Sequence, residues 1–258
     1  VSGKPLTLKD LVQAVLLALK SPNFRLILFS VLIYFAIQGV LRVFDVYMNT
    51  FFWGLAGEDL RYIAGFIVIG PIAAFGVVPI MQRRFQKHHV VITMLTAGMI
   101  LGGLKVLLRF ADILPANGES MLLLIIIIYV SVEAFCATIA GILFASMIAD
   151  LVDEQEMRVG HRQEGVFLSG LAFSQKAISS FGIMIGGLLL DHFVHFPTGD
   201  GQTPDPEVLI RLGLADGILV NAFLIFPIFL LSRYTLSVDA VKEVQTELAT
   251  RRQSEVQS

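Results

Sequence analysis

The chain is 258 residues long, 55% hydrophobic and only 16% charged, with a mean hydropathy of +0.77 and a formal net charge of −2. A soluble domain of this size carries about a quarter charged residues, and nucleic-acid binding calls for a basic surface, so both classes are set aside. The apolar residues gather in runs of about 20, the length that crosses hydrocarbon as a helix, and not in the alternating segments of about ten that build a barrel; the expected fold class is an all-α polytopic membrane protein.

Residues 1–23 are expected to form an amphipathic linker helix on the cytoplasmic membrane surface. Leu8, Leu11, Val12, Val15, Leu16 and Leu19 make one apolar stripe, with Lys9, Asp10, Gln13 and Lys20 away from it. Ser21-Pro22-Asn23 ends it. The chain starts at Val1 with no signal peptide before the first span, which reads as a processed piece or a fragment of something longer.

Six spans are expected within residues 24–232: Phe24–Phe52, Tyr62–Met81, Val90–Phe110, Met121–Ile148, Val166–Leu190 and Leu214–Leu231. The segments Gly54–Leu60, Ala111–Ser120 and His192–Val208 read as loops, and residues 233–258 as a polar cytoplasmic tail. In the first span Tyr34, Gln38, Arg42, Asp45 and Asn49 fall on one helical face. A polar stripe several turns long cannot face lipid, so it faces a partner helix or a water-filled path. Arg42 and Asp45, three apart, can pair. Trp53 with Phe51 and Phe52 reads as an interfacial aromatic belt. The second span carries Gly65, Gly70, Pro71, Gly76 and Pro79, the composition of a kinked helix with close neighbours.

Lys105 and Arg109 lie near the end of the third span and read as snorkelling to headgroups. Glu133 in the fourth span is either protonated or paired with a base, and Lys176 and Arg42 are the available ones. Cys136, the single cysteine, can form no intrachain disulfide and reads as packing. Lys176 stands near the middle of the fifth span, too deep for simple snorkelling, with Gln175, Ser179 and Ser180 beside it. An ammonium at bilayer depth costs about 2.5–3.5 kcal/mol on insertion scales, so it is expected to contact substrate or to pair between helices.

Between the fourth and fifth spans, Asp150, Asp153 and Glu156 together with Glu154 form an acidic loop facing Arg158, Arg162, Arg83, Arg84 and Lys87. Acids at a helix C-terminus oppose its dipole and need cations. A network of this kind suits a cytoplasmic gate between two packings. A metal-dependent membrane enzyme built on Asp150, Asp153 and Glu156 is the rival reading, and the surplus of bases argues against it; no metal site is expected, His192 and His195 included. Thirteen lysines and arginines fall on one side of the spans and three on the other, so both termini are expected in the cytoplasm.

The segment Ala149-Asp150-x-x-Asp153-x-x-Glu156-x-x-x-Gly160-x-Arg162-x-Glu164-Gly165, followed eleven residues later by Lys176, resembles the loop between helices ten and eleven of the glycoside–pentoside–hexuronide:cation symporters. These melibiose permease-like proteins are a branch of the major facilitator superfamily. The amphipathic opening and Ser-Pro-Asn-Phe resemble the join between that family's two six-helix halves. The resemblance implies that the spans are helices seven to twelve of that fold, the C-terminal half of a cation-coupled symporter in the plasma (inner) membrane. It implies a sugar or glycoside as the small-molecule substrate, Na+ or H+ as the coupling ion with no other cofactor, and a cavity lined by the first, fourth and fifth spans. Lys176 matches the family's helix-eleven lysine, while Ala172 stands where relatives often carry a hydroxyl. The expected partners are membrane lipid and an N-terminal six-helix half, or a second copy of this chain; no nucleic acid is expected. The sequence is also compatible with a self-pairing transporter of another substrate, such as a lysolipid, and with an inactive remnant that packs against a partner.

Overall fold

The structure is a computed structural model that describes residues 21–159, 164–197 and 204–235, and their side chains except those of 155–159 and 164–171. The expected surface helix before Ser21, the tail beyond Thr235, the side chains of Glu156 and Arg158, and Arg162 lie outside the described residues. All the described regular structure is helical, and six helices are long and apolar enough to cross a membrane.

The first, α1 (Pro22–Tyr47), opens with Pro22 in its first turn, where a missing N–H costs nothing. It runs on through a π-helical turn, Met48–Phe52. The second span is two helices, α2 (Gly57–Phe66) and α3 (Ile69–Arg84). The break at Ile67 and Val68 lies four and three residues before Pro71. A proline ring clashes with the carbonyl four residues back and offers no N–H to it. The Ser131 hydroxyl donates to the Phe66 carbonyl at this break, 3.3 Å away. The helix α2 starts at Gly57, inside the segment expected to be loop, because Asp59 accepts the Ala56 N–H at 2.8 Å and caps it.

The third span is α4 (Lys87–Phe110). The fourth, α5 (Ser120–Val159), is 40 residues long. It does not stop at Ile148, so Asp150, Asp153 and Glu154 sit on its last turns; the expected acidic loop is, up to Val159, helix. No glycine or proline interrupts Ile148–Val159, and the apolar Leu151 and Val152 are buried there, which extends the helix past the charged positions. The fifth span, α6 (Glu164–Leu189), ends in a π-turn, Leu190–Val194. The last begins with α7 (Pro206–Gly213), continues as a longer π-helical stretch, Leu214–Val220, and finishes as α8 (Ile225–Ser232). Its break at Phe223 and Leu224 again lies four and three residues before a proline, Pro227.

The helix α1 is central, packing on α6, α8 and α5, while α5 also holds α3 and α4. It runs parallel to α6 in tight register: Gly39 meets Ser179 and Gly182, and Gly186 meets Val43. Small residues at the crossing let two backbones approach, which is how membrane helices associate when lipid is as apolar as leucine. At the end of the bundle where α1 and α4 finish, hereafter the far end, the Arg109 guanidinium donates to Pro115 O at 2.6 Å and lies over the Trp53 ring at 5.6 Å. Arg109 thus reaches past the end of its span to its own turn. Asn117 adds a bond to Phe52 O at 3.1 Å. Many large apolar side chains on the periphery, among them Phe29, Ile72 and Phe75, are exposed, as a lipid-facing or partner-facing surface requires.

Candidate functional site

A cavity of about 330 Å³ opens inside the bundle, walled by α1, α2, α4, α5 and the last span. Pockets that hold small molecules are of this size. Along α1 it takes Tyr34, Gln38, Asp45 and Asn49, four of the five residues of the polar stripe. Arg42, the fifth, is exposed and does not line it, although its charge acts on Asp45. Helical spacing turned the stripe inward; the π-turn after Tyr47 resets the register just where Asn49 enters the wall.

Glu133 of α5 also lines the cavity, with Tyr129 one turn before it. Its partner is Lys105 of α4. The Lys105 Nζ lies 3.3 Å from each Glu133 oxygen, and the two side chains are 18% and 25% exposed. The expectation that Lys105 snorkels to headgroups is thus corrected, and so is the choice of Lys176 or Arg42 as the base for Glu133. Lys105 is drawn inward because three carboxylates, those of Glu133, Asp216 and Asp45, act on it together.

Asp216 and Asn221, which no pattern in the sequence singles out, complete the wall. Asp216 sits on the π-helical stretch and is 3% exposed. A π-turn is a frequent mark of a functional position. The Asn221 side chain donates to the Asp216 backbone carbonyl at 2.8 Å, which fixes the amide against the π-helical stretch. Gly217 and Gly102 hold this stretch hard against α4: a Cβ on Gly217 would come within 2.6 Å of Val106, and one on Gly102 within 2.6 Å of Asn221.

Lys176 is exposed on α6 and is not part of this cavity. The Ser180 hydroxyl bonds back to its carbonyl at 3.0 Å. The expected convergence of the first, fourth and fifth spans is therefore realised in the first and fourth, with the third and sixth supplying the rest of the charge.

At the opposite, near end, Asp150 is buried and paired with Lys87 at 2.5 Å, with side-chain exposures of 7% and 24%. Arg83 and Arg84 are exposed, and among the described residues neither pairs with an acid. Tyr234 is packed on His88, their rings 5.4 Å apart. Burial, then the Asp150 and Glu154 carboxylates, push the Tyr234 phenol above its usual range and keep it protonated. Lys87→Met would leave Asp150 charged, buried and unpaired. We expect it to cost about 3 kcal/mol and to be worse than Asp150→Asn, measured by thermal denaturation in detergent. Equal losses in the two variants would mean that the pair is not what stabilises this end. Among the described residues no three His, Cys, Asp or Glu side chains are grouped to hold a metal; the Glu156 side chain that the metal-enzyme rival needs lies outside them.

A family model described as MFS/sugar transport protein matches residues 6–238. No curated protein matches the chain.

Proposed function

The chain belongs to the MFS/sugar transport protein family, a multi-pass membrane transporter family, and from that premise we propose that it is one half of a cation-coupled sugar symporter of the glycoside–pentoside–hexuronide type. The other half is an N-terminal six-helix bundle or a second copy of this chain. Transport proceeds by rocking of one bundle against the other around a site near mid-membrane. The observation that carries the reading is the charged cavity inside an otherwise apolar bundle. Ionisable groups at that depth are costly, and a membrane protein that keeps four of them together uses them.

In this reading Tyr34, Gln38 and Asn49 offer neutral hydrogen-bonding groups to sugar hydroxyls, and Asp45 and Glu133 supply acceptors. The exposed Lys176 faces the complementary half and meets the substrate from that side. The Lys87–Asp150 pair closes the near end, which is the cytoplasmic end in a plasma (inner) membrane with both termini inside. Formation and release of such a pair gives a gate with two discrete packings.

Counterflow of labelled glycosides into vesicles containing the assembled transporter tests the proposal. Exchange that saturates with sugar and is blocked by unlabelled sugar is expected, and Lys176→Ala should raise the half-saturating concentration. No sugar exchange by a well-folded assembly would refute the reading, and full activity in Lys176→Ala would remove that residue's role.

A further inference from the structure

The geometry points to a proton site inside this half of the machine: the Asp216 carboxylate, opening on the cavity beside Lys105, Glu133 and Asp45, takes up and releases the proton that drives transport. The inference rests on the transport reading above and deepens it by naming the coupling ion and its seat.

Charge counting carries the first step. Three carboxylates meet around one ammonium: Asp45 from α1, Glu133 from α5 and Asp216 from the last span, with Lys105 from α4. Glu133 holds Lys105 through both oxygens. Asp45 has Arg42 three residues away as a second base. Even with both bases counted, one carboxylate is left over.

Burial identifies which one. Asp216 is 3% exposed, lines the cavity, and among the described residues accepts no hydrogen bond and forms no ion pair within bonding distance. Its carboxylate therefore has only the cavity to turn to. The other titratable groups facing the same space are Tyr34 from α1, and Tyr129 and Cys136 from α5; α4 adds only Lys105, and the last span adds only Asp216 itself. None of these supplies a further positive charge.

The chemistry selects a proton over a metal ion. A sodium ion would have to settle against carboxylates that already hold an ammonium, and like charges at short range in a poorly screened site repel strongly. A proton neutralises the surplus carboxylate in place: an O–H bond forms on an Asp216 oxygen, with the proton taken from water on one side of the membrane. The same bond breaks when the cavity opens to the other side. All four groups lie in the far half of their spans, so one rocking motion changes their access together.

The test uses vesicles containing the assembled transporter. With an inward proton gradient and no sodium, the wild type should accumulate sugar above the outside concentration. Asp216→Asn should lose accumulation above the outside concentration, and whatever sugar exchange it shows at equilibrium should have a flattened pH dependence. Accumulation by Asp216→Asn equal to wild type would overturn the site, and so would accumulation driven by a sodium gradient at clamped pH. A second measurement needs no transport. Infrared difference spectra of the purified wild type across neutral pH, where exposed carboxylates stay ionised, should show a protonated-carboxyl band that Asp216→Asn or Asp216→Glu removes or moves. The absence of such a band in a folded wild type overturns the proton site. Absence of all sugar exchange, with the band present, would refute the transport reading and leave the proton site standing.

Discussion

Gly39→Leu is expected to be among the most damaging single substitutions in the bundle, because it acts on backbone and not on a movable side chain. A Cβ at Gly39 would overlap the Ser179 carbonyl oxygen and lie 3.0 Å from the Gly182 Cα. One at Gly182 would collide with the Ala36 carbonyl and come within 3.0 Å of the Gly39 Cα. Neither helix can yield alone, since α1 also packs on α5 and α8. Overpacking in a close-fitted interior costs about 1–3 kcal/mol and sometimes more; here the whole α1–α6 crossing must open, and we expect the upper end of that range or beyond. Even Gly39→Ala should be destabilising. Gly141 of α5 is the internal control. A Cβ there meets nothing within 4 Å, and alanine is favoured over glycine in a helix by roughly 0.5–1 kcal/mol. Thermal unfolding in detergent followed by size-exclusion chromatography should rank Gly141→Ala at or above wild type, Gly39→Ala below it and Gly39→Leu last. A Gly39→Leu protein as stable as wild type would show that the two helices are not held this close.

What the sequence makes visible, and what it hides, follows from where each signal is written. The six spans are written in uninterrupted runs of apolar residues, and the cavity face of α1 is written in a helical period: Tyr34, Gln38, Asp45 and Asn49 recur at the spacing that stacks side chains on one face, and they share one wall. The kink of the second span is legible as well, because Pro71 dictates its position. Lys105 is not legible. Five residues from the end of α4, it reads as a snorkelling lysine, and only the tertiary placement of three carboxylates turns it inward. Asp216 is hidden by a misplaced boundary. Pro204, Asp205 and Pro206 look like turn residues, so the last span seems to begin at Leu214 with Asp216 at its rim. In the structure Pro206 is in the first helical turn, where proline is well suited, and the span starts eight residues earlier, which moves Asp216 to mid-span. Lys176 shows the reverse limit: Gln175, Lys176, Ser179 and Ser180 share one side of α6 by helical spacing, yet none of the four lines the cavity, because which side of a helix meets the cavity is set by its neighbours.

Lys105→Met is expected to have the largest effect on the site. The substitution keeps the length and flexibility of the side chain and removes only the ammonium. Three carboxylates then share a cavity with no base in its wall. Removing one partner of a buried ion pair costs about 3–5 kcal/mol, because the other is left charged and uncompensated; here the loss is felt by Glu133 directly and by Asp216 and Asp45 through space. We expect a loss of thermal stability in detergent together with a loss of transport. The double variant Lys105→Met with Glu133→Gln separates the two effects. It takes away the stranded partner and leaves a neutral amide that still hydrogen-bonds, so stability should recover by an amount of the order of the coupling energy, about 0.5–3 kcal/mol for residues in contact. Transport should not recover, since the cavity wall would still lack both the Lys105 ammonium and the Glu133 carboxylate that line it. Strictly additive losses in the double variant would mean that Lys105 and Glu133 do not hold each other, and the inward course of Lys105, on which the charge count of the whole cavity depends, would fall with that result.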